Sequence, residues 1–502
     1  MSNQTLQPGA MSSGKSHFGV GSDDGSTRRL DGQLGVWAIV FLVLAAAAPL
    51  AVMGGTIPIG ISIGNGLGFP TTFLFGAIVL LLFAVGYTTL TKYVKNAGAF
   101  YAYIAKGLGS KVGTGAAFLA GIAYMAETIA VYGLLAAGAV NLFESWGVTI
   151  PWEVFAIAGI FIVGFLGYRH INLTAVLCAI FMISEICIIL VLDIAVLLKG
   201  GGPEGLSTGF LQPSQIISGA PGLALLFCLL SFLGVEATAV YRNESRDPNR
   251  TVPRATFLAI SLIGLFYILS TWLLISAWGD TDAVRIAQDN PVGMLPLAIH
   301  SYLGWGALQI YEVLFVMSLF ICVLAFHNIV SRYVFTLSNR NALPRFLGKA
   351  HKSHGSPHLP SLIASGISLV AIIGASLLGL DPVDEVYTWL AGACTIAFVV
   401  LLAGTTASVF LFFNKQRREG KLVESSLKVL VVPPIAFVLI VAIFVLVMMN
   451  LLSLTGGSVF VATAIMTILG LAFVIGYVLA HMRPSINLDV DEDEGQSASL
   501  AS

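Results

Sequence analysis

The chain has 502 residues, 57% of them hydrophobic and only 10% charged, with a formal net charge of −1. A soluble protein carries about 25% charge, so a water-soluble enzyme or binding module is excluded, and no nucleic-acid partner is expected. Apolar runs of about 20 residues recur along the chain, each long enough to cross ~30 Å of hydrocarbon as a helix; period-2 alternation, the mark of a membrane barrel, is missing. The expected class is an all-α membrane protein embedded in a lipid bilayer.

In chain order, residues 1–30 read as a disordered polar tail. They contain Gly9 to Ser16, GAMSSGKS, which matches the phosphate-loop pattern but has neither the strand before it nor the helix after it that the loop requires. No cleavable signal peptide is visible. About twelve spans follow, at 37–63, 72–91, 112–143, 152–168, 173–198, 217–241, 255–278, 311–337, 362–380, 386–413, 430–452 and 459–480. The third and eighth exceed what a straight crossing needs. Residues 483–502, with the acidic run DVDEDE, read as a second disordered tail.

Twelve spans sort the charges. The N-terminal tail, the even-numbered connections and the C-terminal end hold all the Lys and Arg residues except Lys199 and Arg285. Positive residues stay on the cytoplasmic side, so both termini are expected inside the cytoplasmic membrane. One span more or fewer would scramble the split. All five cysteines, Cys178, Cys187, Cys228, Cys322 and Cys394, fall in apolar spans without metal-ligand spacing and read as small core residues. His351, His354 and His358 cluster in a Gly/Pro/Ser-rich loop without a Cys or carboxylate partner, and read as solvated.

Span 1 contains LAAAAPLAVMGGTIPIG, Leu44 to Gly60. Its two prolines lack an N–H and leave a carbonyl one turn back unpaired, so an unwound segment is expected there. Unpaired backbone at membrane depth survives only against a cavity or other protein. Span 6 repeats the theme: SFLGVEATAV, Ser231 to Val240, joins Gly234 to the ionisable Glu236. Interrupted helices in corresponding positions of two halves point to an inverted-repeat transporter with its site near the midplane. The expected organisation is a first five-helix repeat at 31–212, an inverted second repeat at 213–415, and two additional helices at 416–482.

Broken helices explain a substrate class. Free N–H groups attract a carboxylate and free carbonyls an ammonium group, so backbone alone can hold the part common to all amino acids. The carboxylate is expected along Leu50, Ala51, Met53, Gly54, Gly55 and Thr56. The amine is expected near Ala46, Ala47 and Ala48 and near Ser231, Phe232 and Gly234. Tyr124, Tyr132 and Phe232 are candidates to line or cap the cavity.

Three stretches carry a resemblance. SFLGVEATAVYRNESRDPNRTVPRA, with Glu244, Asp247, Pro248, Arg250, Val252, Pro253, Arg254 and Ala255, resembles the sixth span and following loop of the amino acid–polyamine–organocation (APC) superfamily. HNIVSRYVFTLSNRNALPRFLGKAHKSHGSPHLPSL looks like that superfamily's exit from span 8, and NAGAFYAYIAKGLG its loop after span 2. The resemblance covers most of 35–415. It implies a LeuT-type 5+5 fold with helices 1 and 6 broken, and secondary transport of amino acids or amines without a cofactor. Where many members read G-S-G in the first break, this chain reads AAAAPLAVMGG.

Charges inside spans need a partner or a job. Glu185 in span 5, counted from Thr174-Ala175, falls where some members of the superfamily carry a lysine, near the spot a sodium ion occupies in sodium-driven relatives. Glu185 is therefore the candidate proton-coupling residue, against the alternative of a carboxyl satisfied by a neighbouring helix. Glu127 in span 3 could hold a cationic amine, or bridge helices. Glu236 is common at its position in the superfamily and reads as structural or gating. Asp193 and Glu312 complete the set. The expected function is amino acid import by proton symport. A polyamine or amine importer and an amino acid exchanger stay open; an integral membrane enzyme lacks a clustered nucleophile, base or metal set, and a channel would suit a continuous pore better.

Overall fold

The computed structural model describes residues 34–94, 99–169, 175–238, 245–351, 356–483 and 486. The two expected disordered tails, with the phosphate-loop-like stretch, lie outside these residues apart from Arg483 and Ile486, as do His354, Thr174 and Glu244.

Among the described residues, eleven helical segments are long and apolar enough to cross a membrane. The first, Val36–Tyr93, is 58 residues long, more than twice what one crossing needs. Regular geometry is lost inside it at Gly64 and Gly66, separating span 1 from span 2 (Phe69–Leu90). Counted this way the described chain holds the twelve expected passes. Span 3 is Ser110–Ser145 and span 8 is Trp305–Asn339, the two overlong helices. Span 5 is Ala175–Lys199, span 7 Pro248–Trp278, span 9 His358–Leu377 and span 12 Val459–Met482.

Two connections are more ordered than hydropathy suggests. Residues Ala99–Leu108, between spans 2 and 3, form a helix. Between spans 7 and 8 lie two more, Asp280–Asp289 and Pro291–Leu303. Asp280 and Asp282 sit in the first turn of the former, the favoured end of the dipole, and Asn290 caps the latter through the Gly293 N–H. Both are too short to register as spans, and the former is polar as well.

Burial separates an inner set of helices from an outer one. In spans 3 and 6, 83% of the most apolar window is buried; in spans 11 and 12 only 28% is. Spans 4 and 9 are equally superficial, at 33%, and show Phe161, Phe165, Val370 and Leu377 on the outside, as lipid-facing helices do. Span 3 packs on spans 8, 10 and 12, and span 2 on spans 7 and 11.

Span 1 is broken, but over a shorter stretch than its composition suggests. Its first half, Val36–Ala46, stops at Ala47 and Ala48. Ala48 has φ 43° and ψ 69°, a left-handed conformation that costs an L-residue about 1–2 kcal/mol. The residue before a proline is disfavoured in the right-handed helix, and Pro49, with no N–H to give, is suited to open the next helix. The chain then runs helical from 49 to 63, alternating α and π turns: Val52–Thr56 and Ile61–Asn65 are π. The wider turns accommodate Pro58 without unwinding. Gly54 and Gly55 are not unwound; they are places of close approach. A Cβ on Gly54 would collide with Tyr311 and Phe315 of span 8, and one on Gly55 with Leu134 of span 3.

Candidate functional site

Each break in the membrane helices is met by a buried carboxyl group. At span 1, the Leu50 N–H donates to Oε2 of Glu185 at 3.3 Å, from span 5 and 135 positions away. Ser318 of span 8 and Tyr267 of span 7 also face Glu185. At span 6, helix Pro221–Leu230 gives way to a turn over 231–234. Gly234 there takes φ 104°. Glu236 folds back on this turn: its Oε2 accepts from the Gly234 N–H at 2.9 Å and its Oε1 from the Tyr124 hydroxyl at 2.8 Å. The Tyr87 hydroxyl donates to the Glu236 carbonyl at 2.9 Å. Both breaks thus find partners for N–H groups that would otherwise be orphaned.

Between them lies a small cavity of about 40 Å3. Span 1 contributes Ala47, Ala48, Ala51, Val52 and Thr56; span 3, Glu127, Val131 and Leu134; span 6, Leu230 and Leu233; span 8, Leu319, Cys322 and Phe326; and span 10, Tyr387. The walls are apolar with few polar points, the usual make-up of a small-molecule site. Thr56 and Tyr387 hydroxyls lie 2.7 Å apart and join spans 1 and 10. Oε2 of Glu127 is buried and accepts no hydrogen bond.

The residues singled out in the sequence divide between wall and support. Ala47, Ala48, Ala51, Thr56 and Glu127 line the cavity. Leu50 is fully buried, and presents its N–H to Glu185. Met53 is buried, and Gly54 and Gly55 face spans 8 and 3. The Ser231 hydroxyl donates to the Phe227 carbonyl at 2.9 Å. Phe232 packs on Phe73 and Tyr267, and Gly234 and Glu236 form the span 6 turn. Tyr124 holds Glu236 and stacks on Phe326. Tyr132 is fully buried beside Gly159 of span 4.

The sequence reading did not place Tyr387, Phe326, Cys322 and Leu230 at the site, having read Cys322 as a core residue. Their sequence signal is weak, because an apolar or aromatic residue in a span is normally packing. Nor was His327 noticed: it is fully buried in span 8, 2.8 Å from the Ser361 hydroxyl of span 9. Asp193 accepts from Ser270 at 2.6 Å and Glu312 from Ser145 at 2.9 Å, so both bridge helices. Cys228, Cys322 and Cys394 are buried, while Cys187 is exposed. His351 and His358 stack edge-on, 5.1 Å between ring centres.

The amino acid permease family profile matches residues 34–474, nearly the whole described chain. The chain belongs to the amino acid permease family. Among its relatives is the low-affinity putrescine importer PlaP of Escherichia coli, 24% identical over 60% of this chain. That match spans 66% of the importer's own length, just under two thirds. A probable GABA permease of Pseudomonas aeruginosa is 25% identical over 71% of the chain and 76% of its own length. The amino-acid permease RocC of Bacillus subtilis is 24% identical over 73% and 79%. These names agree with the superfamily resemblance read from the span 6, span 8 and span 2 motifs.

Proposed function

We propose that this family member is a secondary active transporter importing amino acids across the cytoplasmic membrane by proton symport, with alternating access. The observation that carries the reading is the pairing of two broken helices, spans 1 and 6, around one cavity, each break held by a buried carboxyl. Such a constellation suits a zwitterion: N–H groups at the start of the second half of span 1 for its carboxylate, and carbonyls at the end of the first half for its ammonium. The Ala45 carbonyl is one of these, since Pro49 in the next turn has no N–H to offer. Glu185 is the proton-coupling residue in this reading. Spans 1–5 and 6–10 are the inverted repeats, and the shallow burial of spans 11 and 12 supports treating them as additions. Charge asymmetry supports cytoplasmic termini. The family relationship speaks for transport rather than enzymatic chemistry.

One observation favours a second reading, a polyamine or simple amine importer: the unpartnered Glu127 oxygen at the cavity wall would bind a cation that carries no carboxylate. Uptake into proteoliposomes under an imposed inward-directed proton gradient, with labelled amino acids and amines, separates the two. Accumulation of an amino acid in the wild type, reduced to exchange in Glu185→Gln, is the expected result. Flux of putrescine or spermidine without flux of any amino acid would replace this reading by the second.

A further inference from the structure

We propose that the carboxylate of Glu185 and the carboxylate of the substrate compete for the same donors, the N–H groups opening the second half of span 1, and that a proton on Glu185 decides which of them is bound. The inference rests on the import reading above and gives it a physical coupling step.

The donor is already in use in this structure. Leu50, the first residue of the half-helix able to donate, bonds to Glu185 and to a carboxylate oxygen specifically. At 3.3 Å the bond is long for an N–H donor, so little is lost when another acceptor replaces it. The Glu185 carboxyl comes from span 5, while Ala48 and Ala51, flanking the same turn, line the cavity, and Cys322 of span 8 both lines it and faces Glu185. A carboxylate entering from the cavity therefore meets the turn whose Leu50 N–H is held by Glu185. Two ionised carboxylates cannot share such a spot cheaply, because like charges in a poorly solvated site force one to take a proton. A proton on Glu185 removes that repulsion. It also turns a charge-assisted hydrogen bond into a neutral one of about half the strength, which frees Leu50 for the newcomer.

The surroundings leave Glu185 as the group that responds. Its titratable neighbours are Tyr267 of span 7 and Cys322 of span 8, with the Ser318 hydroxyl. Residues 36–65 of span 1 contain no charged side chain and no histidine. Helix Pro291–Leu303, which also packs on span 5, brings His300 at an exposed position and Tyr302. Glu127 lines the cavity from span 3 and suits the ammonium end. Linkage then requires reciprocity: substrate draws in a proton, and the proton tightens substrate binding by the same factor. Carrying both or neither is symport.

The test is equilibrium binding of the standard amino acids and 4-aminobutyrate to the purified full chain across a pH series. The decarboxylated amine of each compound that binds is measured alongside. For the wild type, Kd should rise about tenfold per pH unit above the Glu185 transition, one proton being taken up per substrate. The corresponding amine should show no such slope, since it brings no carboxylate to compete. Glu185→Gln should bind the amino acid with one Kd at every pH. An equal slope for amino acid and amine in the wild type overturns the competition, and needs no variant to fold. A slope that survives in Glu185→Gln overturns it as well. If no amino acid binds the wild type at any pH, the import reading itself falls and takes this inference with it.

Discussion

The two broken helices solve the same problem by different means. At span 6 the cap is local: Glu236 lies two residues beyond Gly234, accepts from its N–H, and is pinned by Tyr124, while Tyr87 holds the backbone. At span 1 the cap is remote, a single long hydrogen bond to Glu185 on another helix. A local cap held by several groups resists displacement more than one held by a single bond. A remote cap held by one bond is lost whenever its helix moves or its carboxyl takes a proton. On the proposed transport reading, span 6 takes the part of a fixed turn and span 1 that of the moving contact. It also explains why a residue as ordinary as Ala48 is held left-handed: the pre-proline position and Pro49 keep the break open whether or not Glu185 is bound.

The comparison can be broken most decisively at Glu236. Replacing it by alanine leaves the part-buried Gly234 N–H and the buried Tyr124 hydroxyl without their acceptor, at about 1–3 kcal/mol for each group. Thermal unfolding in detergent should show a loss of about 3 kcal/mol, with Glu236→Gln intermediate. A loss of a few tenths would mean the local cap is not what holds span 6. Gly54→Ala comes next. The added methyl meets Tyr311 and Phe315, and overpacking of this kind costs about 1–3 kcal/mol. The double variant with Phe315→Leu should recover part of the loss, whereas a glycine needed for unwinding would show no rescue.

Opposite outcomes are expected from paired backbone changes. Gly234→Ala places a side chain at φ 104° and should destabilise by about 1–2 kcal/mol. Ala48→Gly relieves a left-handed alanine and should stabilise, by under about 1 kcal/mol once the greater freedom of the unfolded chain is counted. Loss of stability in both would show that the two breaks do not differ as described. The smallest effect is reserved for Lys92, whose 2.8 Å ion pair with Glu424 is partly solvated. Lys92→Ala should cost under about 1 kcal/mol and less at high salt.

Much of this architecture is legible in the sequence, and the illegible parts have identifiable causes. Twelve passes follow from hydropathy and the placement of Lys and Arg, because lipid imposes length and helix on every crossing. Both breaks are announced by Pro49 and Gly234. The extent of the first is not, because glycine serves close packing as readily as flexibility, and Gly54 and Gly55 serve packing. Helices Asp280–Asp289 and Pro291–Leu303 stay hidden since helices of 10 and 13 residues are too short to leave a membrane signature. The pairing of Leu50 with Glu185 is invisible because it joins residues 135 positions apart through the rotation of two helices. On span 6, likewise, Leu230 and Leu233 face the cavity while the Ser231 hydroxyl bonds its own helix.

The central claim is that Glu185 ties a proton to the substrate at the span 1 break. Proton uptake tests it most directly: an amino acid shown to be transported is added to the purified chain in weakly buffered detergent solution containing a pH indicator. The account predicts that the wild type removes protons from solution as substrate binds, approaching one per site above the Glu185 transition, and that Glu185→Gln binds substrate while removing none. Proton uptake of equal size in both proteins, or none in the wild type at any pH, would contradict it.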